Sequence, residues 1–196
     1  MNAAIDISKV TLTTERLILR PWRSSDLDDL YEYASVDGVG QMAGWKPHES
    51  REESLEILRR FIDGKRTFAL ECDGKAIGSL GIEQYNEKRF PEFDEKRCRE
   101  IGYVLSKAYW GRGLMPEAVR KVIKYLFEEV KLDVILCGHF LSNRQSARAQ
   151  EKCGFHHYAF GQYETRLGTV EDDEITVLRK EEFMGRTSGG FIPPSA

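Results

Sequence analysis

The chain has 196 residues, a net charge of −3, and 41% hydrophobic against 31% charged residues. That size fits one domain spanning residues 1–196 with a real core over about 12–183. The near-neutral balance shows no dense Lys/Arg block, which argues against nucleic-acid binding by phosphate neutralisation unless the fold gathers a local patch. No apolar run approaches the roughly 18 residues of a membrane span. The start, MNAAIDISKV, has no basic n-region and no long apolar stretch, so no secretory leader is expected. Cys72, Cys98, Cys137 and Cys153 show no CxxC spacing. Free thiols in a cytoplasmic protein are therefore expected, rather than zinc or redox sites.

In chain order, LTTERLILR (12–20) reads as a strand with a bend at Pro21. Ser24-Ser25-Asp26 before Leu27, Leu30, Tyr31 and Ala34 reads as an N-cap and a short helix. Residues 36–50 are irregular. Ser50 opens a second helix, with Leu55, Leu58, Phe61 and Ile62 on one face and Gly64 at its end. RTFALEC (66–72), the turn Asp73-Gly74 and KAIGSLGIEQY form a hairpin. Residues 87–97, with Pro91, are a charged loop, and REIGYVLS (99–106) is the next strand. Ala118, Val119, Val122, Ile123, Leu126 and Phe127 make a helical stripe. The apolar run DVILCGHFL (133–141) reads as a strand covered on both faces. Asn143 opens a helix that Gly154 closes, and 155–165 and 173–180 are a last strand pair. The Gly/Ser/Pro-rich tail, 184–196, is expected to be frayed or docked late. The order β-α-α-β-β-β-α-β-α-β-β implies an α+β domain, a mixed sheet with helices on its faces.

YWGRGLMPEA (109–118) joins a strand to a helix. A tripeptide GxG in that place is as readily a plain turn as an anion site. The immediate helix start favours the anion site, because glycine admits an anion close to the backbone and the first helical N–H groups lack partners. Pro116 fits the first turn, where its missing N–H costs nothing. Glu117 would oppose an anion unless its side chain points away. The loop lacks the GK[ST] of a nucleotide loop and the full GxGxxG of a dinucleotide fingerprint.

Three blocks, TERLILRPW, REIGYVLSKAYWGRGLMPEA and NRQSARAQEKCGF, occur in that order. Together they resemble the GNAT acetyltransferases, most closely the RimJ/RimL-type branch. The resemblance implies a central, mostly antiparallel sheet splayed at a cofactor cleft. It implies acetyl-CoA as acetyl donor, with its pyrophosphate on the backbone of Gly111, Arg112, Gly113, Leu114 and Met115 after Trp110. Pantetheine would pair with the strand edge at Tyr103, Val104 and Leu105, and Asn143 would also touch the coenzyme. No metal is implied.

Transfer to an amine requires a neutral nitrogen, donors for the oxyanion and support for the departing thiolate. Glu100 is the first candidate base and Glu83 the second. Ser146 is the candidate acid, because the tyrosine many members carry four residues later is replaced by Gln150. Trp45 and Trp22 are candidate walls of the acceptor site. His48, His139, His156 and His157 form no convincing metal set. The expected reaction is acetyl transfer to a primary amine, either a protein N-terminal α-amine, such as a ribosomal protein's, or a small-molecule amine. The competing reading is a non-catalytic acyl-CoA-binding domain. Monomer and homodimer are both compatible with the sequence, and neither nucleic acid nor membrane is an expected partner.

Overall fold

In a computed structural model, residues 1–188 are described. Eight strands form one sheet in the order β1-β2-β3-β4-β5-β6-β8-β7. They are β1 Leu12–Thr13, β2 Ile18–Pro21, β3 Thr67–Cys72, β4 Lys75–Glu83, β5 Cys98–Leu105, β6 Val134–Phe140, β7 His156–Glu164 and β8 Val170–Arg179. The helices are α1 Leu27–Ala34, α2 Arg51–Gly64, α3 Leu114–Glu128, α4 Arg144–Lys152 and α5 Lys180–Ser188. Among the described residues, neighbouring strands run antiparallel except β5 and β6. The expected mixed sheet with helices on both faces is what forms.

Strand alternation sorts the side chains between two layers. Leu70, Ile77, Ile101 and Ile135 face the stripe Val119, Val122, Ile123 and Leu126 of α3 in the main core. Ala69 and Ala76 point the other way, under Leu30 of α1 and Leu58 of α2. A third cluster, with Phe90, Phe93, Leu136, Ile175 and Val177, closes the far end of that second face. Val122 and Leu126 are fully buried, and each contributes on the order of 1.5–3 kcal/mol. Ala3 and Ile7 lie in the main core too, ahead of residue 12.

Several local expectations change. LTTERLILR is not one strand but a tight hairpin of two short ones. Thr14 Oγ1 accepts from the Leu17 N–H at 2.9 Å and folds the backbone over Glu15 and Arg16. Gly64 is the last helical residue of α2, and the left-handed position falls on Lys65 at φ 52°. The charged loop after β4 buries Phe90 and Phe93 as a plug. β8 starts at Val170, before the expected 173. The stretch beginning at residue 184 is helical through Ser188, as part of α5, and its remainder lies outside the described residues. Asp73 (φ 50°) and Gly74 (φ 80°) make the two-residue turn their sequence predicts.

Candidate active site

The site follows from where β5 and β6 stop pairing. Their parallel register runs from Cys98↔Val134 to Ile101↔Cys137 and ends there. β5 continues to Leu105, paired on its other side with β4 as far as Gly78. β6 continues to Phe140, paired with β8. Gly102–Leu105 and Gly138–Phe140 therefore diverge, and a cleft of about 860 Å³ opens between them. Gly81, Gly102 and Gly138 line it, and a Cβ built on Gly102 would meet nothing within 4 Å.

At one end of the cleft lie Tyr109, Trp110, Gly111, Gly113, Leu114, Met115 and Pro116. Gly111 and Gly113 sit at φ 75° and 74°, the left-handed region that favours glycine. Among the described residues, none of the backbone N–H groups from Gly111 to Met115 has a hydrogen-bond acceptor. The Leu114 and Met115 side chains are buried in the main core, so the bulk of Met115 is turned away from its own N–H. The indole N–H of Trp110 donates to the Leu105 carbonyl at 2.8 Å and ties the loop to the end of β5. The Arg112 side chain lies outside the cleft, 5.0 Å over the ring of Tyr109, so only its backbone can serve there.

Glu117 does point away. Its carboxylate accepts from Thr14 Oγ1 (2.6 Å) and from Arg16 Nε (2.8 Å), and Arg16 Nη2 lies 2.6 Å from Oε2. Burial pushes this carboxyl up, but the Thr14 and Arg16 partners outweigh it and leave it below the ordinary value. Arg16 Nη1 also donates to the Arg112 carbonyl at 2.9 Å. A cation absent from the sequence reading thus braces the glycine loop.

Midway along the cleft, Tyr103 reaches from β5 to α4. Its hydroxyl is 2.9 Å from Ser146 Oγ. Gln150 Nε2 donates to Ser146 Oγ (3.1 Å) and to the Gly138 carbonyl (3.2 Å). Gln150 Oε1 faces Thr176 Oγ1 (2.8 Å) and His139 Nδ1 (3.0 Å). Asn143 caps α4, its Oδ1 accepting from the Ser146 N–H at 3.1 Å, while its Nδ2 donates to the Met42 carbonyl at 3.2 Å. Val104 and Leu105 line the cleft beside them.

At the far end stands Glu100, where β5 begins its divergence. Burial pushes its carboxyl up to about 7, against the pull of the Arg89 charge; Asp173 and Glu83 push it further up. Arg89 forks onto Asp173 with both bonds at 3.0 Å. A Cβ on Gly161 would overlap the Arg89 guanidinium, so that glycine makes room for the fork. Glu83, opposite Glu100 in the register, also lines the cleft, half-exposed and paired with Arg66 at 2.9 Å. Burial raises the thiol of Cys153 to about 12 and that of Cys137 well above the ordinary range, so neither offers a thiolate. Among the described residues no group of three or more His, Cys, Asp or Glu could hold a metal ion.

Trp45 lines the cleft, in the segment between α1 and α2, with Val39, Met42 and Ala43. That segment is tied across the opening, because the Arg166 N–H donates to the Gly44 carbonyl at 2.9 Å. Phe140, Tyr163 and Arg166 complete this wall. Trp22 is a correction. It is buried against Phe61 (ring centroids 5.5 Å apart), lines a separate small cavity with Ile7 and Lys65, and does not reach the cleft. Pro21 ends β2 one residue earlier, which directs the indole under α2. The sequence reading missed Arg16, Arg89, Asp173 and the Gly44 tie. Gly161 inside a strand was the available hint for Arg89.

An open sheet that parts at a parallel strand pair, with bare amides at one end of the gap and a carboxylate at the other, can hold an anion and take up a proton, as an acyltransferase must. Residues 16–156 match the acetyltransferase (GNAT) domain family, and the chain belongs to that family as an N-acetyltransferase. The chain is similar to the uncharacterized N-acetyltransferase YoaA of Bacillus subtilis, 30% identical over 86% of this chain and 96% of that one. It is 42% identical to the probable N-acetyltransferase YjcK of B. subtilis over a shorter stretch, 40% of this chain and 44% of that one. A crystal structure of a GNAT-family acetyltransferase from Bacillus anthracis shares the fold, with TM-score 0.75 and 22% identity over 88% of this chain and 99% of that one.

Proposed function

We propose that the protein moves the acetyl group of acetyl-CoA directly to a primary amine, with the coenzyme pyrophosphate on the amides of Gly111–Met115. The observation that carries this reading is that those N–H groups have no acceptor among the described residues, and that Gly111, Gly113, Leu114 and Met115 line the cleft that holds Glu100. Such amides at a helix N-terminus, with Arg16 behind them, suit a diphosphate. Acetyl-CoA would supply the activated thioester. A complex with acetyl-CoA is known for a protein of this fold, the microcin C7 self-immunity acetyltransferase MccE.

In this reading Tyr103–Leu105 offer their free edge to the pantetheine amides, as an added strand would be held. Glu100 accepts a proton from the incoming amine. An ordinary carboxylate is a poor match for an ammonium group, and a value near 7 brings the two closer. Glu83 stands second, because Arg66 already engages its carboxylate. Ser146 donates to the departing sulfur. Trp45, with Met42 and Tyr163, walls the acceptor, which agrees with a primary amine on an apolar or aromatic body.

Relatives are named as a putative ribosomal N-acetyltransferase (YdaF of B. subtilis), an FsC-acetyl coenzyme A-N(2)-transacetylase (Aspergillus fumigatus) and a spermidine N(1)-acetyltransferase (Escherichia coli). The RimJ/RimL-type assignment stands with the first of these. The test is release of free coenzyme A on a panel of N-terminal peptides, polyamines and simple amines. Turnover on at least one supports transfer. Tight acetyl-CoA binding without turnover on any would instead support a binding domain.

A further inference from the structure

Ser146 sits in a hydrogen-bond polarity that its neighbours dictate. The Gly138 carbonyl can only accept, so the side of the Gln150 amide that faces it, at 3.2 Å, is the nitrogen. Gln150 is 1% exposed, and a flipped amide would set its oxygen against the Gly138 carbonyl with no proton between them. Ser146 Oγ, 3.1 Å from the same nitrogen, therefore receives an N–H. One of its two lone pairs is thereby filled.

The second partner is Tyr103 Oη at 2.9 Å. The other acceptor in its reach, the Ser146 carbonyl, is farther, at 3.3 Å. Burial pushes the Tyr103 hydroxyl well above its ordinary range, so it keeps its proton at any working pH, and the shorter distance assigns that proton to Ser146 Oγ rather than to the carbonyl. A hydroxyl that accepts from both an amide and a phenol has one capacity left, its own O–H. Ser146 lines the cleft, and that is the open direction.

We propose that Tyr103 and Gln150 are positioning residues that turn the Ser146 O–H outward and aim it at the sulfur of a thioester in the cleft. This rests on the acetyl-transfer reading above. In that transfer the amine nitrogen forms the C–N bond, the C–S bond breaks and its electron pair stays on sulfur. The amine's proton goes to Glu100, and the thiolate leaves held by the Ser146 O–H, to be protonated by solvent on release. The proposal gives a use to the departure at position 150. A glutamine there cannot be the acid, but it can fix the orientation of a serine that stabilises the leaving group.

The experiment measures ionisation of the thiol of bound coenzyme A, from its thiolate absorbance against pH, together with steady-state kinetics. The variants are Tyr103→Phe, Ser146→Ala and the double variant. A hydrogen bond to a charged acceptor supports an expected drop of about tenfold in both bound thiolate fraction and kcat for each single variant, with the KM for acetyl-CoA unchanged. In the Ser146→Ala background, Tyr103→Phe should change neither quantity. The inference is overturned if Tyr103→Phe matches the parent, or if its effect persists without Ser146. Should Tyr103→Phe fail to fold, Gln150→Glu tests the same point, since it replaces the donor to Ser146 with an acceptor of the same shape. The same losses would support the inference, and parent-like values would overturn it. A parent protein that binds no coenzyme A, or binds it and acetylates no amine, would instead overturn the acetyl-transfer reading.

Discussion

Replacing Glu100 by glutamine should raise stability and cut activity together, most strongly at neutral to alkaline pH. The Glu100 carboxyl titrates near 7 in the fold against an ordinary 4.5. Below about pH 4.5 the folded and unfolded groups are both neutral and nothing is gained or lost. Between about 4.5 and 7 the unfolded chain releases the proton while the folded one keeps it, so stability falls as pH rises. Above about 7 the folded protein carries the whole cost of the buried charge, about 3 kcal/mol at 1.36 kcal/mol per pKa unit. Glutamine keeps the shape and removes that cost. At pH 8.5 the variant should melt roughly 6–12 °C above the parent, and at pH 5 the gap should shrink to roughly 2–4 °C or less. In the parent, kcat/KM should rise with pH through an apparent pKa near 7. In the variant the rate should fall by about 10²–10⁴. Thermal denaturation at the two pH values and pH–rate profiles decide the matter. A variant as stable as the parent at pH 8.5 would show that Glu100 pays no burial penalty. A variant with the parent's rate would remove it as the base.

Arg16→Ala should weaken acetyl-CoA binding about three- to tenfold, because the loop loses its cation and Glu117 is released toward it; calorimetry at low and high salt should show the difference shrinking with salt. Gly102→Val should fold with a melting temperature close to the parent's, since its Cβ meets open space, yet lose most turnover as the side chain fills the cleft. Gly161→Ala should push the Arg89 guanidinium aside and weaken its fork on Asp173, a loss of about 1–3 kcal/mol readable by urea denaturation.

What the sequence made legible was local. The Asp73-Gly74 turn, the α3 stripe and the apolar run of β6 follow from short-range patterns, and the glycine loop follows from a turn beside a helix start. The contacts that complete the cleft join distant residues. Arg16 meets Glu117 across 101 positions and Arg89 meets Asp173 across 84. Strand order sets those meetings, and no periodicity encodes it. Trp22 was misplaced for the same reason, since its neighbours Phe61 and Leu58 belong to α2. α5 was missed because it follows β8 at once, with no breaker between Arg179 and Lys180. Its signal was Glu182, whose carboxylate accepts from the Arg179 N–H at 2.9 Å.

The two ends of the cleft make opposite electrostatic demands. On the proposed reading the glycine loop attracts phosphates, while the chemistry at Glu100 needs a carboxylate near a neutral amine. The fold separates them along β5. From Glu100 to Leu105 is about 17 Å at roughly 3.3 Å per residue, beyond the ~8–10 Å screening length of ordinary buffers. A diphosphate at Gly111–Met115 therefore adds little to the proton affinity of Glu100, which burial and the nearby Arg89 and Asp173 set instead. Glu117, in the first turn of the helix that follows the loop, is drawn off by Thr14 and Arg16 of the β1–β2 hairpin. The N-terminal hairpin thus has an electrostatic role besides its packing. It takes up the negative charge that the first turn of α3 would otherwise set against an incoming anion, and brings a guanidinium to the loop in its place.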